Sequence, residues 1–454
     1  MSARRQISRF TRAKHRERWL SAFITRWRQR LMFVVGGVLV GGAAVSLAWL
    51  AEAAQHQFAT LAEAYQWLPF LVTPLGFCAC IYAASKWFNN AQGSGIPQTI
   101  AAYRVANMAY RKSLLSLRVV AGKILLTVLG LLFGASTGRE GPTVQVGAAL
   151  MLAVGQLSPR KRAGLIVAGA SAGVAAAFNT PLAGIMFGIE EMSRSFDRRT
   201  SGLIIACVIA AGFTALALLG NYSYFGTTNG SIHGIAGWVV VPICGIAGGL
   251  LGGGFSWLVV AASRGAFNFQ RWQLSLRGQL GVAFGCGLVV ALCGLLSMGA
   301  IHGTGYQQVK YALDHQQPLS DSFGVLKFIA TLASSLSGIP GGIFAPSLAI
   351  GAGMGSNLAV LLTSNAAGVM ILLGMVAYLA GVVQAPITAF VIVMEMTNDH
   401  GMLMPLMATA LLASAVSRLI CREGIYHALA HNLLEKRRKS LLAEPAESAT
   451  NPVN

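Results

Sequence analysis

Glu140 stands in the stretch Gly138-Arg139-Glu140-Gly141-Pro142 (GREGP), bracketed by glycines and lying between two long apolar runs. A carboxylate in such surroundings can take up and release a proton, and in its charged form it can occupy an anion's place. Pro142 suits the first turn of a helix, where the missing N–H costs nothing and φ is already set. A helix from Pro142 to about Leu157 would be about 24 Å long, short of a bilayer core of about 30 Å. Its N-terminus is therefore expected inside the membrane. Unpaired N–H groups and the positive pole of the helix dipole let such an end hold an anion without a full counter-charge. Gly141, Gly341 and Gly342 allow the backbone to approach a ligand closely. Glu190 and Glu191 close the apolar run PLAGIMFGI, where a solvated helix end is their simplest role. Lys123, in the run before GREGP, either tunes a pathway electrostatically or reaches from a helix end to the interface.

The elements carrying these residues belong to a membrane. Of 454 residues, 55% are hydrophobic and 11% charged, against about 25% charged in soluble domains. Apolar runs of near-spanning length recur at 31–50, 114–135, 202–220 and 278–300. This predicts an all-α polytopic membrane protein. The formal charge of +19 could suit a polyanion, but basic residues crowd the first 19 residues and Lys436-Arg437-Arg438-Lys439. Flanking a membrane region, such clusters mark the cytoplasmic side, so both termini are expected there, with no nucleic-acid partner. The first thirty residues have no clean apolar core of a secretory signal, and no soluble regulatory domain fits beyond about residue 431. The seven cysteines lack zinc-type spacing and read as small buried hydrophobes, so no metal is expected.

The chain repeats itself. Gly138 aligns with Gly342, Pro142 with Pro346, Gly147 with Gly351 and Ala148 with Ala352, without a gap. AGVAAAFNTPLAGIMFGIEEM (172–192) likewise resembles AGVVQAPITAFVIVMEM (380–396), with Glu190 and Glu395 each following a proline by nine residues. Two membrane repeats are predicted, 31–225 and 226–430, between cytoplasmic tails 1–30 and 431–454. Odd crossings per repeat give inverted halves and even crossings give parallel ones; spacing alone allows both. Broken helices converging near the midplane are a transporter design.

Three segments in order, Gly93-Ser94-Gly95-Ile96-Pro97, GREGP and Gly342-Ile343-Phe344-Ala345-Pro346, together with Tyr426 in GIYHALA, resemble the signature of the CLC chloride channel and transporter family over residues 31–430. The resemblance implies two inverted halves with half-helices meeting at the midplane, and a homodimer with one pathway per subunit in a bacterial inner membrane. It implies that Ser94 and Tyr426 coordinate a central chloride with the amides around Ile343 and Phe344. Glu140 resembles the gating glutamate and Glu191 the internal proton glutamate of exchangers. The cargo is then chloride and protons, with no cofactor. Hydroxyls and amides attract chloride moderately, which lets it both enter and leave. Arg139 is expected to orient nearby backbone or balance charge rather than touch the ion. One departure from the pattern is Gln98-Thr99-Ile100 after GSGIP, where several exchangers carry acidic residues near the internal proton route.

Other functions fit less well. Gly134-Ala135-Ser136-Thr137-Gly138 and Gly169-Ala170-Ser171-Ala172-Gly173 match G-x-S-x-G, but that hydrolase motif needs a strand–turn–helix. The eight histidines fall mostly near tails or helix ends and offer no evident intramembrane base, so no enzyme is expected. A passive chloride channel shares the whole anion path and differs only in proton coupling. Fluoride and nitrate transporters of the family tend to alter the GSGIP serine or the Glu-Gly-Pro pattern, both intact here. The pairs Gly37/Gly41 and Gly248/Gly252 suit close helix packing in a scaffold or a transporter alike.

Overall fold

The structure, a computed structural model, describes residues 2–155, 162–193, 198–220, 223–228, 230, 232, 234–266, 275–362 and 367–448. Residues 160, 161 and 194 of the basic clusters, Leu157, and the end of the chain past 448 lie outside these. Eight described helices are long and apolar enough to cross a membrane.

The first half comprises α1 (Ser2–Ala64), α2 (Leu68–Lys86), α3 (Ile96–Arg104), α4 (Met108–Leu114), α5 (Leu117–Leu132), α6 (Glu140–Val154), α7 (Arg162–Phe178), α8 (Pro181–Phe187) and α9 (Arg198–Leu219). A π turn, Gly188–Ser193, extends α8. A short α10 (Gly234–Trp238) leads into the second half: α11 (Val240–Ser263), α12 (Leu276–Leu296), α13 (Tyr306–Asp314), α14 (Phe323–Ser337), α15 (Phe344–Leu361), α16 (Ala367–Val383), α17 (Pro386–Thr397) and α18 (Leu403–Ile420). The final helix is α19 (Ile425–Ser448). Helix α1 runs without interruption through the expected boundary near residue 30.

The repeat visible in the sequence is a repeat of packing. Helix α6 lies on α7 as α15 lies on α16, and α1 on α9 as α11 on α18. Asn179 and Gln384, each two residues before a proline, share a left-handed φ of 56° and 59°. The halves meet through reciprocal contacts, as two copies related by a two-fold axis must. Gly138 N–H donates to Gly342 O at 2.8 Å and Gly342 N–H to Gly138 O at 2.6 Å, an isolated antiparallel bridge. The fold is two inverted-topology repeats, and their broken helices meet at this bridge. The expected small-residue crossings are present: a side chain at Gly41 would run into Ala211 O of α9, and one at Gly252 into Gly381 and Tyr378 O of α16.

Glu190 and Glu395 extend this reciprocity and correct the reading of Glu190 as a solvated helix end. The Glu190 carboxylate accepts N–H bonds from Ile387 (3.1 Å) and Thr388 (2.7 Å) at the start of α17. The Glu395 carboxylate accepts from Leu182 (3.1 Å) and Ala183 (2.7 Å) at the start of α8. Each half therefore caps the other half's broken helix, where free N–H groups would otherwise lie in a low-dielectric layer. Alanine at either glutamate should destabilise the detergent-solubilised protein by about 1–3 kcal/mol. The two losses should be of similar size in thermal or SDS titration; a loss at one position alone would contradict the two-fold equivalence.

Candidate functional site: a buried anion path

Three helix starts converge on the glycine bridge. Helices α3, α6 and α15 begin after Gly95, Arg139 and Ile343, and none of these three residues supplies a side-chain cap. Their first N–H groups are thus left for something else. Pro97, Pro142 and Pro346 sit in the first turns, as expected. Helix α6 has 15 residues, about 22 Å at 1.5 Å each, so it ends short of spanning. The loops are tied together by Gly93 N–H to Gly338 O and Gly341 N–H to Gly93 O, both 3.2 Å. Gly95 adopts φ 95°, a left-handed turn that glycine enters at little cost.

Glu140 is fully buried. Its carboxylate faces backbone N–H groups of Glu140 itself, Arg139 and Ala345, but neither oxygen completes a hydrogen bond of good geometry. The space it fills exists because the neighbours lack side chains. A Cβ on Gly138 would collide with Oε2, and one on Gly342 would lie 3.2 Å from it. A Cβ on Gly141 would come 2.5 Å from Ser94 Oγ. Glu140, Ser94, Gly141 and Gly342 are therefore one cluster, assembled from all three signature segments.

Tyr426, at the start of α19, completes it. Its ring stacks on Phe344, with centroids 5.7 Å apart, while Phe344 meets Phe178 and Phe187 edge-on. The Tyr426 hydroxyl lies beside Ser94 and within electrostatic reach of Glu140 and Glu191. Neither hydroxyl has a hydrogen-bond partner of good geometry, and Ser94 is only 8% exposed. A buried polar group left unpaired costs about 1–3 kcal/mol. Two orphaned hydroxyls facing uncapped helix starts and an orphaned carboxylate make a surface suited to a desolvated anion.

The remaining charged residues fall into place around this cluster. Arg139 Nη1 donates to Ala48 O of α1 at 2.7 Å, and its charge lies within electrostatic reach of Glu140. Lys123 does not reach an interface. It is buried, donates to Gly93 O (2.9 Å) and Gln92 O (3.4 Å), and so anchors the loop bearing Ser94. Lys327, missed in the sequence, does the same in the other half, donating to Ile301 O and Gly303 O at 2.7 Å. The signal was available, because Lys327 precedes Gly342 by the same interval as Lys123 precedes Gly138. The loop Gly303-Thr304-Gly305 that it holds is the counterpart of Gly93-Ser94-Gly95, with matching left-handed glycines.

Glu191 is 2% exposed and lies on the π turn. His427 approaches it, Nε2 to Oε1 at 3.5 Å. This corrects the reading of the histidines as peripheral. Ser171, by contrast, sits inside α7 packed against Gly184 and Gly188, not on a strand-to-helix turn. Ser136 shares a hydrogen bond with Thr331 at 3.1 Å. The seven cysteines are free, and among the described residues no group of three or more metal-ligating side chains occurs.

Inverted halves whose half-helices aim their N-termini at one buried, hydroxyl-lined place define an anion-transporting integral membrane protein with many spans. The chain belongs to the voltage gated chloride channel family, the CLC proteins, whose pattern it matches over residues 75–418. Members of this family are channels and transporters rather than enzymes. The chain is similar to a slow cyanobacterial Cl⁻/H⁺ antiporter of known crystal structure, at 25% identity and TM-score 0.78, covering 90% of this chain and 99% of that one. It shares its fold with a CLC-type fluoride/proton antiporter (22% identity, TM-score 0.76, 90% and 98% covered). A eukaryotic CLC transporter is similar at 20% identity and TM-score 0.71, with 88% and 74% covered.

Because neither the Ser94 nor the Tyr426 hydroxyl completes a protein hydrogen bond of good geometry, Ser94→Ala and Tyr426→Phe should leave thermal stability unchanged or slightly raised. Each should weaken chloride binding about tenfold, the equivalent of one hydrogen bond of about 1.4 kcal/mol. Calorimetry on purified protein measures both; unchanged affinity in the two variants would remove these hydroxyls from the anion path.

Proposed function

We propose that the protein exchanges chloride for protons across a bacterial inner membrane, with both termini cytoplasmic and no cofactor. The observation that carries this reading is the buried Glu140 carboxylate, cradled by Gly138 and Gly342 before the start of α15. A carboxylate and a chloride compete for the same N–H groups, so one leaves when the other arrives. Protonation removes the charge that holds Glu140 there, and the neutral side chain gives way to the ion. Ser94 and Tyr426 hold the ion from the internal side, and Ile343 and Phe344 offer the backbone of the α15 start.

A second buried carboxylate, Glu191, supports coupling over a passive channel with the same anion path. It lies beside the imidazole of His427 rather than on the ion cluster, which suits a separate proton branch. The similarity to the cyanobacterial Cl⁻/H⁺ antiporter points the same way.

The working unit is a homodimer with one complete path in each subunit. Glu190 and Glu395 support this, being partly exposed carboxylates at the junction of the two halves. Lipid chains cannot solvate such groups, so a second copy over the faces of α8 and α17 would lower their cost.

Simultaneous chloride and proton flux in liposomes tests the reading. A chloride gradient should drive protons uphill, whereas chloride movement alone would establish a channel. Glu140→Gln and Glu191→Gln should each keep chloride flux and lose proton flux by at least about tenfold. Retained coupling in either variant would reject that residue's role.

A further inference from the structure

The segment Gln98-Thr99-Ile100 at the start of α3 carries no acidic side chain. Another titratable group stands next to Glu191. His427 follows Tyr426 on α19, and its imidazole is 2% exposed. Nε2 lies 3.5 Å from Glu191 Oε1. On the other side of the ring, Arg104 Nη2 donates to Nδ1 at 2.7 Å. Arg104 is the last residue of α3 and is exposed to water. The three side chains thus form a line from solvent to a buried carboxylate.

The donor chemistry fixes the ring's state. A guanidinium has N–H donors and no acceptor, so Nδ1 must accept and the ring proton sits on Nε2, facing Glu191. Two other charged groups on or beside α19 are engaged elsewhere. His431 pairs with Glu435 on the exposed face at 3.9 Å, and Arg264, at the end of α11, donates to Asn432 at 3.3 Å. Helix α16, also packed on α19, contributes Tyr378 as its one titratable side chain.

We propose that His427 carries protons between cytoplasmic water and Glu191, and that Arg104 is a positioning residue that controls when the imidazole can load. The proposal rests on Glu191 being the internal proton acceptor. While Arg104 holds Nδ1, its lone pair is engaged and no proton can enter. When the guanidinium moves off, a hydronium ion gives its proton to Nδ1, leaving water and an imidazolium. The N–H bond at Nε2 then breaks toward Glu191, whose carboxylate becomes a carboxylic acid, and a neutral imidazole with its proton on Nδ1 remains. Exchange with water returns the proton to Nε2, and Arg104 closes again. One proton enters and one leaves, with no change in electron count.

His427→Gln tests this, because glutamine keeps an N–H donor toward Glu191 but cannot carry a proton. In liposomes with both fluxes recorded, proton flux should fall at least about tenfold while chloride flux stays within about twofold of the parent. Arg104→Met should raise proton flux at neutral internal pH by about two- to fivefold, since it frees Nδ1; a purely structural arginine would give no rise. His427→Asn, with chloride binding checked by calorimetry, serves if the glutamine variant does not fold. Parental proton-to-chloride ratios in the His427 variants, with coupling lost in Glu191→Gln, would overturn the carrier role and leave Glu191's role intact. A parent protein that moves chloride without protons would overturn both.

Discussion

Everything in this protein is arranged around two glycines that hydrogen-bond to each other across a two-fold axis. Gly138 and Gly342 can approach because neither has a side chain, and their bridge draws the starts of α6 and α15 together. Two positive helix poles side by side would repel. An anion between them, whether a carboxylate or a halide, offsets that repulsion and satisfies N–H groups that the membrane cannot. The glutamate two residues after Gly138 fills this place in the structure. The repeat-related position in the second half is Phe344, an aromatic wall, so the symmetric frame holds an asymmetric site.

The same economy governs the supports. Each half spends one buried lysine on a glycine loop, Lys123 for Gly93 and Lys327 for Gly303. Each half lends one glutamate to cap the other's short helix. A buried ammonium or carboxylate is tolerated when several backbone dipoles surround it, and removing one partner strands the rest. These four side chains therefore stabilise the broken-helix geometry. That division leaves Ser94, Tyr426 and Glu140 without strong protein partners, which suits the exchange of partners proposed for them.

Two buried carboxylates divide the work by location. Glu140 sits among glycines and helix starts, surroundings that favour an anion. Glu191 sits on a π turn next to an imidazole, where it can trade a proton with a base. Tyr426 lies within electrostatic reach of both and is followed on α19 by His427, so in the proposed exchange one residue of α19 serves the ion and the next the proton.

The sequence by itself determined the membrane class, the duplication and the central cluster. Hydropathy and low charge reveal spans, and the gapless match of GREGP with the GIFAP segment reveals the repeat. The three signature segments, in their order, mark Ser94, Glu140 and Phe344, and GIYHALA marks Tyr426; the fold brings the four together. What the tertiary structure decided was every pairing between residues far apart along the chain. Glu190 looked like a solvated helix end because nothing nearby in sequence needs a cap; its partner helix starts at Pro386. His427 looked peripheral because its neighbours Arg104 and Glu191 belong to the other half. Inversion, too, was undecided by spacing; it follows from the whole fold, shared with CLC antiporters of known structure. Local patterns record what each segment buries, whereas the axis between two halves exists only once both have folded.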